Sequence, residues 1–216
     1  MKKILTVIGG VLGIAVVGVL GAASLKPDVT HVERSLVMAA APQDVFPYLE
    51  DYDKWYEWNP WAERDPAEKV TFSEVHHGEG AWTEWDGNDD VGQGRMTKTK
   101  VVLNERVEED LHFMRPFDSH ARAFLTLAPE GDGTKVTWGF DSDNSFGSKI
   151  MAVFMDMDAM IGPDFLHGLE KLKPLAEGAA KARQAAEAEA VTAAAAAAAA
   201  AADPAELGIN GDVLPK

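Results

Sequence analysis

The chain opens on an uncharged, largely apolar run from Ile4 to Leu25, set between Lys2-Lys3 and Lys26-Pro27. About 20 apolar residues suffice to cross a bilayer as a helix, and this run offers no polar face on which a surface helix would be solvated. The pattern predicts a single transmembrane helix over residues 4–25, although Gly9, Gly10, Gly13, Gly18 and Gly21 dilute its hydrophobicity. A cleaved signal peptide is the competing reading, with Gly21-Ala22-Ala23 supplying small residues for a cleavage site. The length favours an uncleaved anchor, because signal-peptide apolar regions usually stop at about 15 residues. Both lysines of the N-terminal flank then keep the N-terminus cytoplasmic and export the rest. The expected location is a single-pass membrane protein with a periplasmic or extracytoplasmic domain, secreted if the segment is removed.

Beyond Pro27 the pattern changes to that of a folded domain over residues 27–177. Thr30–Met38 alternates in polarity as a strand does. Ala41-Pro42-Gln43-Asp44 opens a helix with proline in its first turn, and Val45, Phe46 and Leu49 form its apolar stripe. A second short helix covers Asp51–Trp58 and ends at Asn59-Pro60. Strands are then predicted over Lys69–Val75, Gly80–Trp85, Gly92–Leu103, Arg106–Arg115, Ser119–Ala128 and Thr134–Asp141. Turn chemistry such as Asp86-Gly87-Asn88 and Glu130-Gly131-Asp132-Gly133 separates them.

One long helix is predicted over residues 147–175, with Pro163 kinking it near Met160–Pro163 by removing a hydrogen bond and crowding the carbonyl of Ala159. A break between two helices is the alternative. The order strand, two helices, run of strands, long helix implies an α+β domain with helices on one face of an antiparallel sheet. Residues 178–216 are alanine-rich and have no apolar stripe. They read as a frayed helix or linker, with disorder expected over Ala205–Lys216.

Charge and cysteine usage narrow the function. A formal net charge of −15 repels phosphate backbones, so nucleic acid is not an expected partner. The chain has no cysteine, which removes disulfides, thiolate nucleophiles and cysteine-ligated zinc. No serine-nucleophile motif, phosphate loop or metal signature appears, and no cofactor is implied. Gly92-x-Gly94 lacks the strand–turn–helix setting of a dinucleotide site.

Several stretches carry a family resemblance. These are His31-Val32-Glu33-Arg34-Ser35, Trp55-x-x-Trp58-Asn59-Pro60-Trp61, Gly87-Asn88-Asp89-x-Val91-Gly92-x-Gly94, Glu130-Gly131-x-Gly133-Thr134-Lys135-Val136-Thr137-Trp138, and Phe154-Met155-Asp156-Met157-Asp158-x-Met160-Ile161-Gly162-Pro163-Asp164-Phe165. Across about residues 30–175 the chain resembles the SRPBCC or START-like superfamily, and more specifically its bacterial, membrane-anchored polyketide cyclase/dehydrase type. The resemblance implies a helix-grip fold, a curved sheet around a long C-terminal helix with an apolar cavity between them. It does not fix an activity.

The candidate cavity lining follows from strand and helix periodicity. On the long helix, Phe154, Met157 and Met160 fall on an apolar stripe with Ile150, Met151, Ile161 and Phe165. Half of the chain's eight methionines lie there, which suits a deformable wall as well as a packed core. Trp82 and Trp85, three apart on one strand, point to opposite faces, so only one of them can face a cavity. Met96, His112, Met114, Arg122, Phe124 and Trp138 complete the candidate set. His112 and Arg122 would orient a ligand carbonyl or carboxylate if they point inward, and are plain surface polarity if outward. Trp55, Trp58 and Trp61 read as a structural lock. His76-His77 is a weak metal pair, and Asp156 with Asp158 cannot face each other across a helix.

Three functions follow. The first is a binder of a small hydrophobic molecule, such as a lipid or a polyketide- or isoprenoid-like compound. The second is a cyclase- or dehydratase-type enzyme using His112 or Arg122, and the third an interaction scaffold presenting Trp61. No protein partner is readable.

Overall fold

The structure is a computed structural model describing residues 2–201, with side chains from residue 8 onward. The expectation for Ala205–Lys216 lies outside the described residues. The helix α1 (Lys2–Ser24) leads into β1 (Val29–Met38), α2 (Pro42–Glu50) and α3 (Tyr52–Trp58). After a short 3-10 turn come β2 (Lys69–Phe72), β3 (Trp82–Asp86), β4 (Gln93–Val102), β5 (Arg106–Arg115), β6 (Ser119–Glu130) and β7 (Gly133–Asp143). Two helices close the chain, α4 (Phe146–Phe154) and α5 (Met157–Ala201).

The strands form one antiparallel sheet in the order β1-β7-β6-β5-β4-β3-β2. The first strand therefore pairs with the last, and α2 and α3 occupy the crossing from one edge to the other. Register shifts on β4 at Gln93/Gly94 and Lys98/Lys100 bend its ladder with β5. Period-two alternation assigns the faces. Val32, Met38, Val107, Leu125, Leu127, Val136 and Trp138 are buried on the inner face. That face is covered by α5, which lies along β1 and β7, and by α2, which packs on β6 and on α5.

The α+β helix-grip expectation holds, and so do the succession of elements along the chain and most strand limits. The long helix differs. It is interrupted at Met155–Asp156 and then runs unbroken through Pro163 and Pro174. The cause is capping. The Asp156 carboxylate accepts from the backbone N–H of Asp158 (3.0 Å) and Ala159 (3.3 Å), so Met-Asp-Met-Asp is a helix start and not a helix middle. The break between helices therefore falls upstream of the proline expected to mark a kink.

Downstream, buried Phe165, Leu169, Leu172, Ala176 and Ala180 dock α5 at spacings of three and four. The alanine run extends a helix already nucleated by that docking, so no fresh nucleus is needed. Arg183 still holds the domain there, its guanidinium bonding both carboxylate oxygens of Asp44 at 2.7 and 3.0 Å.

Among the described residues no helix is long and apolar enough to cross a membrane. The described side chains of α1 begin at residue 8, so the anchor expectation over residues 4–25 rests on the sequence. Ile8, Val11, Leu12, Ile14, Val16, Val17 and Leu20 are exposed, and α1 packs against α4.

Candidate functional site

The centre of the grip is filled with aromatic rings. Trp138 projects from β7 and is 3% exposed. It meets Trp55, Trp58 and Trp61 edge-on at 5.2, 5.4 and 5.5 Å and stacks on Phe165 at 4.4 Å. Gly168 is glycine because of this plug: a Cβ there would sit 2.7 Å from the Trp138 ring. The Trp58 indole N–H donates to the Tyr48 carbonyl at 3.0 Å, which satisfies the polar end of a fully buried ring. The indoles thus occupy space where the resemblance implied a cavity.

The remaining candidates divide between faces. Trp85 and Met96 are inner-face residues. Met96 is buried, and Trp85 lies flat over Gly94, where a Cβ would come within 2.5 Å of its ring. Trp82 turns outward with the Arg95 guanidinium 4.3 Å from its ring centre. His112, Met114, Arg122 and Phe124 share that outer face by strand alternation. Arg122 faces Asp143 at 3.5 Å, and Phe124 stacks with His31 at 6.2 Å beneath Arg106. His112 and Arg122 are therefore outside the layer between sheet and helix, and do not line a space there. A hollow of about 430 Å³ lies on this outer face, lined in part by Arg106, Asp110, Arg122 and Phe124.

A second hollow, of about 380 Å³, opens at the end of the grip where α4 breaks from α5. This size falls within the range of small-molecule sites. Its walls are Pro27 and Val29 at the foot of α1, Ala152–Met155, and Met157. Polar groups come from Lys26, Thr30, His31, Asn144, Asp156 and Asp158. Of the candidates, Phe154 and Met157 line this cleft and Met160 does not. Phe154 is 70% exposed, and Met151, Met155 and Met160 are exposed too. No residue of α4 is buried.

The polar groups of the cleft are held in place. The Asn144 amide donates to Thr30 Oγ1 (2.9 Å) and to the Pro27 carbonyl (3.0 Å), tying β1 to the end of β7. Arg34 forms a two-pronged pair with Asp158, both bonds at 2.8 Å, which holds the Asp158 carboxyl below its ordinary range. Hydrogen bonding to Asp141 at 2.7 Å, with Glu33 nearby, raises His31 above the ordinary histidine value. The His31 imidazole itself turns to the outer face with Asp141 and Phe124, so the polar side chains of the cleft are those of Lys26, Thr30, Asn144, Asp156 and Asp158.

Sequence reading missed a buried polar trio. Lys98 Nζ lies 2.8 Å from Glu109 Oε1 with both side chains buried, and 3.2 Å from the centre of the Tyr52 ring. Desolvation pulls the Lys98 ammonium down, while Glu109 opposes that shift. Burial pushes the Tyr52 phenol far up, and its O–H donates to the Met96 carbonyl at 3.2 Å. The signal was present in the alternation: Lys98 keeps step with Gly94 and Met96, and Glu109 with Val107 and Leu111. Glu68, also missed, is raised by burial and by Asp65, and its Oε1 is buried without a partner.

A family model described as "Polyketide cyclase / dehydrase and lipid transport" matches residues 29–177. A comparison with curated proteins gives no match. Among solved structures, protein CV1439 from Chromobacterium violaceum superposes with a TM-score of 0.50 at 16% identity, covering 70% of this chain and 99% of its own. The Aha1 dimer structure from Colwellia psychrerythraea gives 0.50 at 16%, over 68% of this chain and 96% of that one. The di-domain ARO/CYC StfQ of the steffimycin biosynthetic pathway gives 0.50 at 14%, over 69% of this chain and 51% of that one. At these identities the likeness shows the fold.

Proposed function

We propose that this chain, which belongs to the polyketide cyclase / dehydrase and lipid transport family, binds a small apolar molecule in the cleft at the α4–α5 junction, beside a membrane to which α1 tethers it. The observation that carries this reading is the cleft of about 380 Å³ and its apolar rim. Phe154 and Met155 stand in water at its edge, and Met151 continues the exposed apolar surface along α4. Contiguous exposed apolar surface of this kind marks a binding site more often than ordinary surface. Methionine suits a wall that adapts to irregular shapes. Lys26 is the cation of the lining that would meet a polar or anionic end of the ligand, while Asp156 and Asp158 disfavour a second negative charge.

Tethering follows from the apolar run at residues 4–25 and the packing of α4 on α1. The cleft then lies at the foot of the anchor with the domain on the exported side. Partition of the full chain with carbonate-washed membranes, and its loss on removal of residues 1–26, is the expected outcome. A full chain released by carbonate overturns the tether. Ligand binding is read by an environment-sensitive apolar dye. Wild type is expected to enhance its fluorescence saturably, and Ala152→Trp, which fills the cleft, to abolish that enhancement. Equal enhancement by both proteins overturns the site.

A further inference from the structure

On the outer face of the sheet, away from the cleft, the hairpin of β5 and β6 gathers three groups of metal-binding type. His112 and His120 are direct cross-strand partners, and their rings stack 4.2 Å apart at 11°. Asp118, in the turn just before β6, places Oδ1 3.0 Å from His112 Nε2. One ligand atom from each of the three lies within 4.8 Å of the other two. We propose that His112, Asp118 and His120 form a binding site for a divalent transition-metal cation of the zinc or nickel class.

The ligand set selects the ion. Two imidazoles and one carboxylate suit zinc, nickel and copper(II), whereas magnesium and calcium prefer oxygen throughout. Tetrahedral bonds of about 2.0–2.2 Å require ligand atoms roughly 3.4 Å apart. The present spread closes by rotation of the imidazole rings and of the Asp118 carboxylate. Such rotation is open to them, since Asp118 and His120 are exposed and His112 half-buried. The backbone does not need to move, because the β5–β6 ladder already fixes the two histidines opposite each other. A bound cation takes the lone pair of His112 Nε2, and the ring's proton resides on Nδ1. Asp118 then turns from hydrogen-bonding partner to ligand, and water fills the open positions.

The surroundings permit a cation. Arg122, two residues along β6 on the same face, turns its guanidinium toward Asp143 at 3.5 Å. Asp110, opposite Arg122 on β5, is exposed. The net charge of −15 raises the local concentration of cations around the domain. A plain surface His–Asp pair would explain the contact of His112 with Asp118, but gives no role to His120. This inference is independent of the ligand cleft.

Calorimetric titration of zinc and then nickel into the untagged full chain in detergent tests it, followed by imidazole nitrogen NMR. One ion per chain is expected, with the metal-induced shifts at His112 and His120. His112→Ala or His120→Ala weakens binding at least about tenfold, the least that losing a metal ligand costs when outer-shell losses already reach that size. Asp118→Asn weakens it less, and His76→Ala/His77→Ala leaves it unchanged. Because these side chains are on the surface, the variants keep the wild-type circular dichroism spectrum and melting point in the absence of metal. The proposal is overturned if wild type shows no saturable binding. It is equally overturned if a folded His112→Ala/His120→Ala double variant binds as tightly as wild type.

Discussion

The middle of the grip and its end at the α4–α5 junction treat large apolar side chains in opposite ways. In the middle, Trp55, Trp58, Trp138 and Phe165 are each at most 6% exposed and interlock ring against ring. At the end, Met151, Phe154 and Met155 stand in solvent around a cleft of about 380 Å³. The middle spends its hydrophobic surface on stability. The end leaves it available, and surface left available on an otherwise acidic domain points to something that covers it. The comparison teaches that the fold's cavity is not given by its topology. In this chain indoles close the centre, and the open space moves to where Asp156 interrupts the helix.

The largest expected effects lie in the closed middle. Lys98→Ala leaves Glu109 buried without its counter-charge, which costs about 3–5 kcal/mol in urea unfolding. The double variant Lys98→Met/Glu109→Leu should recover most of that loss, since a buried pair is often no better than well-packed apolar groups. A double variant as unstable as the single would assign the pair a positioning role for Tyr52. Trp138→Ala should cost about 3–5 kcal/mol as well, through the cavity it leaves, and should not alter dye binding at the far cleft. Gly168→Ala, which drives a methyl group into Trp138, is expected to cost about 1–3 kcal/mol by overpacking.

The open end should behave in reverse. Phe154→Ser lies within about 0.5 kcal/mol of wild-type stability, as surface changes usually do, yet lowers dye affinity. Should it prove as destabilising as the core variants, the contrast between the two regions fails.

The smallest effects are on pH, and two ion pairs outside both regions differ in sign. Arg183 holds the Asp44 carboxyl below its ordinary value. That contact therefore stabilises fully above the ordinary carboxylate range and is lost as pH falls through the lowered value. The hydrogen-exchange protection of residues 181–187, corrected for the intrinsic rate at each pH, should fall on acidification. His31 is raised, so its contact with Asp141 contributes fully below the ordinary histidine value of about 6.5 and is lost as pH rises through the raised one. The stability of wild type relative to His31→Gln should fall across the same window in urea unfolding.

Much of the fold was legible because strand alternation and turn residues are local signals. Arg106–Arg115 is delimited by Asn104 before it and Pro116 after it, and period two assigned Trp82 and Trp85 to opposite faces. The aromatic lock of Trp55, Trp58 and Trp61 was legible too, as a spacing of three. Legibility failed where distant partners decide. That Trp138 would fill the centre depends on Gly168 leaving room for its ring, thirty residues away in the chain. Lys98 was passed over because a lysine in a strand reads as surface, and only the opposing Glu109 makes its burial tolerable. Asp156 was read as a mid-helix residue, since a cap and an interior position look alike until the backbone turns. The candidate set mixed both faces for the same reason: His112, Arg122 and Phe124 alternate correctly, but nothing local says which face α5 covers.

The most direct test of where ligand binds is photolabelling of the full chain in native membranes with a diazirine-bearing fatty acid, followed by peptide mapping. Labelling concentrated on peptides spanning residues 26–31 and 151–158, and lost in Ala152→Trp, is the predicted result. Labelling confined to the outer sheet around residues 106–124, or unchanged in Ala152→Trp, would contradict the assignment of the cleft.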